Sequence, residues 1–525
     1  MARDNGPVLP HLDPTRAQRV RGCLRDADFT PDGVHALLGA SAHEALTRGE
    51  PEPAARACAD GGELGTLIRL FLLAGTEPEP GVTAALGDLD PLLTGRILRR
   101  TPDGIRAALD VRPYGEGAGD DGTSGADWWV VSDLEGPASR QDREHVTGVG
   151  GASLSLAAAT ARRPVGSLLD LGTGCGVQAL HASRHALRVV GTDVAPRALA
   201  LARLTCALSG VEADLREGPW FSPVAGERFD QIVSNPPFVP GPPRVDYVYR
   251  DSGQAGDSAL AALVGELPGL LTDGGVAQLL GSWLHVRGED WPDRVRSWLP
   301  PGMDAWILQR EVVDPAMHVG TWQRDAGLVP SSPAAREQAR AWLDWMESER
   351  VEGVGFGFLL LRRTDSEPTV VVEDLPGELG EGLGREMTGW LDRIDWLRAH
   401  SRDDDLLGAR LLIAPETVLE TASSVAPEGG WAELSTTVRR WGGPGWEHQV
   451  DGPAAALLAG CRGDLPLSEL IALLSFAHDR PADALTAASL PAVRELVRHG
   501  LLIPVDGWPQ GTGIAAPATP AGPVG

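Results

Sequence analysis

One stretch limits what this chain can fold into more than any other. From Ser167 to Gly176 it reads Ser-Leu-Leu-Asp-Leu-Gly-Thr-Gly-Cys-Gly, an apolar run ending in glycines at alternate positions. Glycines so placed allow a tight turn and a close approach of backbone to a ligand. A helix starting directly beyond the turn offers its free N–H groups to that ligand. The unit belongs at the carboxyl end of a strand in an α/β sheet. The sequence downstream agrees, because apolar runs alternate with helical patterns, as in a parallel sheet. Seven strands are expected, at Ser167–Asp170, Arg188–Asp193, Glu212–Arg216, Phe229–Ser234, Val276–Ser282, Ala305–Val312 and Phe356–Arg362. Helices fall between them, for example Pro196–Ser209 and Ala334–Glu349. The fold class read from this is α/β, a central doubly wound, Rossmann-like sheet.

The second expected strand ends in Gly191-Thr192-Asp193. An acid at that end accepts hydrogen bonds from both hydroxyls of a ribose. The alternative is a dinucleotide site with the related Gly-x-Gly-x-x-Gly pattern. Here Gly172, Gly174 and Gly176 are spaced Gly-x-Gly-x-Gly, and Asp170 stands just before them. An acid there would lie beside a cofactor that carries a positive amino group, as S-adenosyl-L-methionine does. The candidate cofactor residues are therefore Asp170, Gly172, Thr173, Gly174, Gly176, Asp193 and Val194.

After the fourth expected strand comes Asn235-Pro236-Pro237-Phe238. Two prolines after a buried strand force an abrupt, rigid turn. Such a turn sets the Asn235 side chain and the Pro236 carbonyl on one side, where two acceptors can receive both hydrogens of a planar NH2 group. The nitrogen of an amide or of an exocyclic base amine is delocalised and a poor nucleophile. Holding its hydrogens aims its electron pair, and orientation with electrostatic stabilisation supplies most of the rate. Phe238 can stack on the planar acceptor.

With these residues in view, Asp170-Leu-Gly-Thr-Gly-Cys-Gly176 resembles motif I of class I S-adenosylmethionine-dependent methyltransferases. The likeness is closest to the group holding HemK-type glutamine methyltransferases and the rRNA guanine-N2 and adenine-N6 enzymes, and it covers roughly residues 145–363. The resemblance implies S-adenosyl-L-methionine as cofactor and catalytic roles for Asn235, Pro236, Pro237 and Phe238. It also implies that His145 to Ser153, with Gly151, closes over the methionine part of the cofactor. The stretch Tyr247 to Asp257 resembles the glycine-rich segment that follows the acceptor loop in relatives; Tyr247, Tyr249 and Arg250 are candidates for the substrate entrance. Relatives often carry an Asp after the third strand that holds the adenine amino group. Here the stretch is Glu217-Gly-Pro-Trp-Phe221, so that contact falls to Glu217 or to backbone.

At 525 residues the chain is too long for one ordinary domain. Residues 1–113 read as a helical N-terminal domain. Thr30-Pro31-Asp32 starts a helix, Leu64 to Leu72 carries an apolar helical stripe, and Ile105–Val111 turns extended. Residues 114–145 read as a linker with an entry strand, Asp127–Asp133. The methyltransferase domain is set at 146–363 and a mainly helical C-terminal domain at 364–506. That domain begins in the acidic connector Glu373–Gly384 and ends in helix Pro491–His499 and an extended Gly500–Val505. Residues 507–525 read as a disordered tail. Helices followed by strands make both end domains winged-helix-like.

The formal net charge is −26, and all 46 basic residues are arginine. That speaks against nucleic acid covering the whole surface, while leaving room for a local arginine patch. The five cysteines are scattered without a paired spacing, so no structural metal site is expected. With no long apolar stretch and no apolar leader, the reading is a cytoplasmic protein without a membrane partner. The function expected is N-methylation of a planar NH2 nitrogen on a macromolecule. The flanking domains favour a nucleobase exocyclic amine in RNA or DNA. A glutamine side chain of a partner protein is the alternative, and a non-catalytic cofactor-binding scaffold a remote third.

Overall fold

The structure is a computed structural model that describes residues 9–116, 125–135, 144–237, 239–243, 253–375, 382–440 and 444–506. The chain forms two compact units. One comprises Met1–Ala157 with Pro164–Asp374, the other Ala158–Arg163 with Leu375–Gly525. Phe238, Tyr247, Tyr249, Arg250, residues 117–124 of the Gly/Asp-rich break, residues 376–381 of the acidic connector and the tail 507–525 lie outside the described residues.

The first unit is built on a sheet of β1 (Val165–Leu171), β2 (Ala186–Asp193), β3 (Asp214–Glu217), β4 (Phe229–Ser234), β5 (Leu271–Val286), β6 (Met303–Val313), β7 (Val351–Arg363) and β8 (Val370–Asp374). Their order across the sheet is β8-β6-β7-β5-β4-β1-β2-β3. All seven expected strands are present. The eighth, β8, was not foreseen: it is five residues long, pairs parallel with β6 at the edge, and merges by composition into the acidic connector. β1 to β5 run parallel, and β7 returns antiparallel between β5 and β6. Leu168, Leu169 and Leu171 of β1 are buried, as a strand covered on both faces requires.

The direction of winding reverses at β1, which pairs with β2 on one side and β4 on the other. A sheet of this kind opens a crevice at the carboxyl ends of its strands at that point. Register decides what meets there. Leu171 pairs with both Thr192 and Ser234. The next residues, Gly172, Asp193 and Asn235, therefore leave three neighbouring strands at one level. Helix α1 (Val177–Ala182) follows β1, and α2 (Pro196–Ser209) follows β2, starting on a proline and stopping at left-handed Gly210.

The N-terminal segment packs into the same unit. Thr30 Oγ1 accepts from Gly33 N–H at 3.0 Å and caps helix Pro31–Thr47. Thr76–Glu77, Leu98–Thr101 and Gly104–Ala107 make a small three-stranded sheet. The expected entry strand, observed at Ala126–Ser132, pairs with Asp110–Glu116 and stays outside the eight-stranded sheet. Its outer backbone is satisfied by α2: Trp129 N–H donates to Ser209 Oγ at 3.0 Å and Val131 N–H to Thr205 Oγ1 at 2.9 Å.

The second unit holds helices Leu383–Ala399, Gly452–Gly460, Leu467–His478 and Ala482–Arg498, with two three-stranded sheets. One sheet joins Arg410–Ile413, Arg462–Pro466 and Leu502–Pro504. The other joins Thr417–Val425, Trp431–Arg440 and Glu447–Gln449, strands that the mainly helical reading did not foresee. Its exposed positions mix polar residues with Leu419, Val425, Trp431 and Leu434, so no clean apolar-polar alternation marked the strands in the sequence. Among the described residues no helix is long and apolar enough to cross a membrane.

Candidate cofactor and acceptor site

The switch point opens into a cavity of about 400 Å³. Of the residues expected at a cofactor, Asp170, Gly172, Thr173, Gly174, Asp193 and Val194 line it, and Asn235, Pro236 and Pro237 form part of the same wall. The glycine turn and the Asn-Pro-Pro corner, 59 residues apart from Gly176 to Asn235 in sequence (235 − 176), thus face one space. Three expected residues are not in the wall. Glu217 ends the edge strand β3 and is exposed, while Gly218, Pro219 and Trp220 after it line the cavity. Gly151 is exposed at the start of helix Gly151–Ala159, and the wall is made by Glu144 to Gly148 and by Ser153 around it. Gly176 lies behind the turn.

Each glycine of the turn has a left-handed φ, +74° at Gly172, +55° at Gly174 and +88° at Gly176. A Cβ on Gly172 or Gly174 would meet no atom within 4 Å, so both face open space. A Cβ on Gly176 would come within 3.3 Å of Ala202, so that glycine lets α1 lie close on α2. The turn is held from below, since Gly172 N–H and Thr173 N–H both donate to the Thr192 carbonyl at 2.9 Å.

Asp170 is buried and accepts from Thr173 Oγ1 at 2.6 Å. Burial pushes its carboxyl up to about 7, opposed by the Thr173 hydrogen bond and assisted by the nearby Asp193. Asp193 accepts from Gly174 N–H at 3.0 Å and Ala195 N–H at 2.9 Å. Burial raises its pKa as well, and these N–H groups oppose the rise. Each carboxylate oxygen of Asp193 has a second lone pair for a hydroxyl. Thr192 Oγ1, buried in the same wall, has no hydrogen-bond partner among the described residues. Cys175 also lines the cavity, but burial pushes its thiol up to about 12, which disarms it as a nucleophile.

The corner at Asn235 is fixed from both sides. Before it, Ser234 Oγ donates to the Leu171 carbonyl at 2.8 Å and ties β4 to β1. After it, Val239 and Pro240 are buried, and the Pro240 carbonyl accepts from His318 Nε2–H at 2.9 Å. His318, on helix α3 (Pro315–Asp325), receives the Trp322 indole N–H on Nδ1 at 3.3 Å. Those two partners require neutral imidazole with its hydrogen on Nε2.

Sequence reasoning passed over several residues that line the wall or hold it in place. Gln178 donates to the Ser153 carbonyl at 2.8 Å and anchors the segment over the cavity. Asp133 accepts from Val146 N–H at 3.0 Å and pairs with Arg197 of α2, which pins Glu144 to Gly148 in place. These residues come from distant stretches with no local motif. Trp220, left-handed at φ 47°, was visible only as a departure from the relatives' pattern.

A doubly wound sheet with this strand order and a cavity at its switch point places the first unit among the class I methyltransferase-type α/β folds. By sequence, residues 148–253 match the model described as Methyltransferase small domain. Two further models, each described as a domain of unknown function, match residues 26–108 (DUF7059) and 388–504 (DUF7782). A Methanocaldococcus jannaschii protein, provisionally named a protein N5-glutamine methyltransferase, is 34% identical over 123 residues, which are 22% of this chain and 62% of that one. The ribosomal RNA small subunit methyltransferase C of Alcanivorax borkumensis is 32% identical over 117 residues, 22% of this chain and 32% of its own. The release factor glutamine methyltransferase of Geobacter sulfurreducens is 42% identical over 77 residues, 14% of this chain and 27% of its own. The chain thus spans under two thirds of the length of each of these relatives.

Proposed function

We propose that the protein is an S-adenosylmethionine-dependent methyltransferase acting on a planar NH2 nitrogen of a macromolecule, a nucleobase exocyclic amine before a protein glutamine. One observation carries this reading: Asn235 and Pro236 line the same cavity as Gly172, Gly174 and Asp193. The wall suits the cofactor by its chemistry. Gly172 and Gly174 leave room for a nucleoside, Asp193 can take the ribose hydroxyls, and Asp170 can neutralise an amino group. Gly218 to Trp220 stand where Glu217 was expected to meet the adenine, and the unpartnered Thr192 hydroxyl offers a further polar contact.

When bound, the cofactor supplies an electrophilic methyl on a sulfonium. The chain's own part is to orient the acceptor. Asn235 Oδ1 and the Pro236 carbonyl take the two N–H groups of the acceptor, which turns the nitrogen's electron pair toward that methyl. With the acceptor so held, transfer of that methyl to the nitrogen would leave the electron pair of its former bond on sulfur, and the nitrogen's proton would pass to water. Phe238 is proposed to stack on the acceptor plane. No side chain needs to act as a strong base.

The relatives supply both acceptors by name, a ribosomal RNA and a release factor glutamine. The nucleobase is placed first because the flanking domains, with helices followed by strands, are of a kind that often positions nucleic acid, and the glutamine reading rests on the first and third relatives. The Asn235→Ala variant is expected to keep cofactor affinity by calorimetry and to lose transfer by roughly 10²–10³-fold, as when one preorganised polar contact is removed. Unchanged transfer would refute the role given to Asn235. Labelled methyl transferred to fractionated lysate, then digested with nuclease or protease, assigns the acceptor: label that survives nuclease but not protease excludes the nucleobase.

A further inference from the structure

In a chain with 46 arginines and 72 carboxylates, an arginine has carboxylates in excess to pair with. Arg69 pairs with Glu77, Arg294 with Asp257 and Arg362 with Asp304. The small N-terminal sheet instead sets two arginines against each other. Arg99 on strand Leu98–Thr101 stands directly opposite Arg106 on strand Gly104–Ala107. Like charges opposite one another on paired strands are destabilising. Neither makes an ion pair among the described residues, and Arg106 Nε is buried without a hydrogen-bond partner.

Arg96 adds a third cation without an ion pair, held at a left-handed φ of 60° just before the strand. Arg96, Arg99 and Arg100 line an open groove of about 460 Å³, floored by Leu93, Leu98 and Ala108. Arg100 is tethered to Glu79, which leaves Arg96 and Arg99 as the groove's free forks. The strand carrying Arg99 and Arg100 is an edge of its sheet, so no further strand covers it.

A protein with surplus negative charge has no folding reason to crowd three uncompensated guanidinium groups on one hairpin. A ligand that supplies negative charge gives one. Guanidinium forks match phosphate oxygens bidentately, and several in a row suit the repeated charges of a polynucleotide. We infer that the hairpin Leu98–Ala107 with Arg96 is a phosphodiester-binding site that docks the nucleic acid whose base enters the methyltransferase cavity. This rests on the nucleobase reading of that cavity.

The test is fluorescence anisotropy of the full chain with a labelled single-stranded RNA, the DNA of the same sequence, and polyglutamate, each across a salt series. Exchanging Arg96, Arg99 and Arg106 together for Gln should weaken RNA and DNA binding at least tenfold. It should also lower the slope of log affinity against log salt by about 1.4, at about 0.7 per phosphate contact for the two groove forks Arg96 and Arg99. Affinity for S-adenosyl-L-methionine should not change. The single Arg99→Gln variant should melt no lower than the parent, because it relieves a like-charge pair. A stronger response for RNA than for DNA, or the reverse, names the natural polymer.

Equal affinity and slope in parent and triple variant would overturn the site, as would polyglutamate binding as tightly as polynucleotide. If the full chain binds no polynucleotide and labels only protein, the nucleobase reading falls with it. If it labels RNA or DNA while the variants bind like the parent, only the arginine site falls.

Discussion

At the scale of single residues, the cavity sets a charge problem that Asp170 must solve. Its carboxyl is held at about 7 against an ordinary value of 3.8. The folded protein therefore keeps a proton that the unfolded chain has released, and stability falls as pH rises from about 4 to about 7. Asp170→Asn removes this dependence. Relative to the variant, the parent without cofactor should lose up to about 4 kcal/mol across that window, read from denaturant unfolding at several pH values. A parent whose stability ran parallel to the variant's would refute the buried, proton-holding state. Under the proposed function the same residue would tie cofactor affinity to pH, because only the charged form neutralises an amino group. Binding by calorimetry should strengthen as pH passes upward through about 7 and weaken below it. That Asp170, Gly172, Gly174 and Asp193 share one cavity wall was expected from the sequence, because a glycine turn after a strand has a fixed local spacing. Thr192 was not, since a threonine in an apolar strand has no signature until its hydroxyl is seen without a partner.

At the scale of elements, two devices hold working parts in place. His318 on α3 carries the Pro240 carbonyl and so braces the corner after Asn235. His318→Phe should keep cofactor affinity while lowering transfer, chiefly in kcat, because a displaced corner loses orientation and not binding. If kcat stayed at the parent value, His318 would be packing alone. In the second unit, Glu386 on helix Leu383–Ala399 is paired with both Arg393 of that helix and Arg440 of strand Trp431–Arg440. Burial works to raise the Glu386 pKa, but the two guanidinium groups win and hold it below its ordinary value. Glu386→Gln leaves two buried cations without their counter-charge and should destabilise the unit by roughly 3–5 kcal/mol, seen as a lowered melting temperature. Neither device could be read in advance. Each joins side chains from separate stretches, and a buried ionic cluster looks in sequence like a few charged residues in an amphipathic helix.

At the scale of the whole molecule, the chain carries its apolar material in separate cores. The first unit packs around the eight-stranded sheet and the N-terminal helices, and the second around Leu411, Leu458, Ile471, Val493 and Leu502. A ligand stabilises whatever binds it by mass action. With S-adenosyl-L-methionine at about 100 times its Kd, calorimetry should show the transition of the cavity-bearing unit stabilised by about 2.7 kcal/mol. If no transition moves, the cofactor assignment fails. The net charge of −26 belongs to this scale too. It disfavours contact with nucleic acid in general, so any such contact has to be local, and the hairpin around Arg99 and Arg106 is local.

By itself the sequence determined the seven strands β1 to β7, the glycine turn and the proline corner. Hydrophobic period and turn chemistry act over a few residues, and there the chain's choices are nearly forced. The tertiary structure alone decided that Gly172, Asp193 and Asn235 leave the sheet side by side, that Glu217 faces solvent while Gly218 to Trp220 line the cavity, and that β8 closes the sheet edge. Those outcomes depend on which strands pair and in what register, and pairing energy is collected between segments that are far apart along the chain.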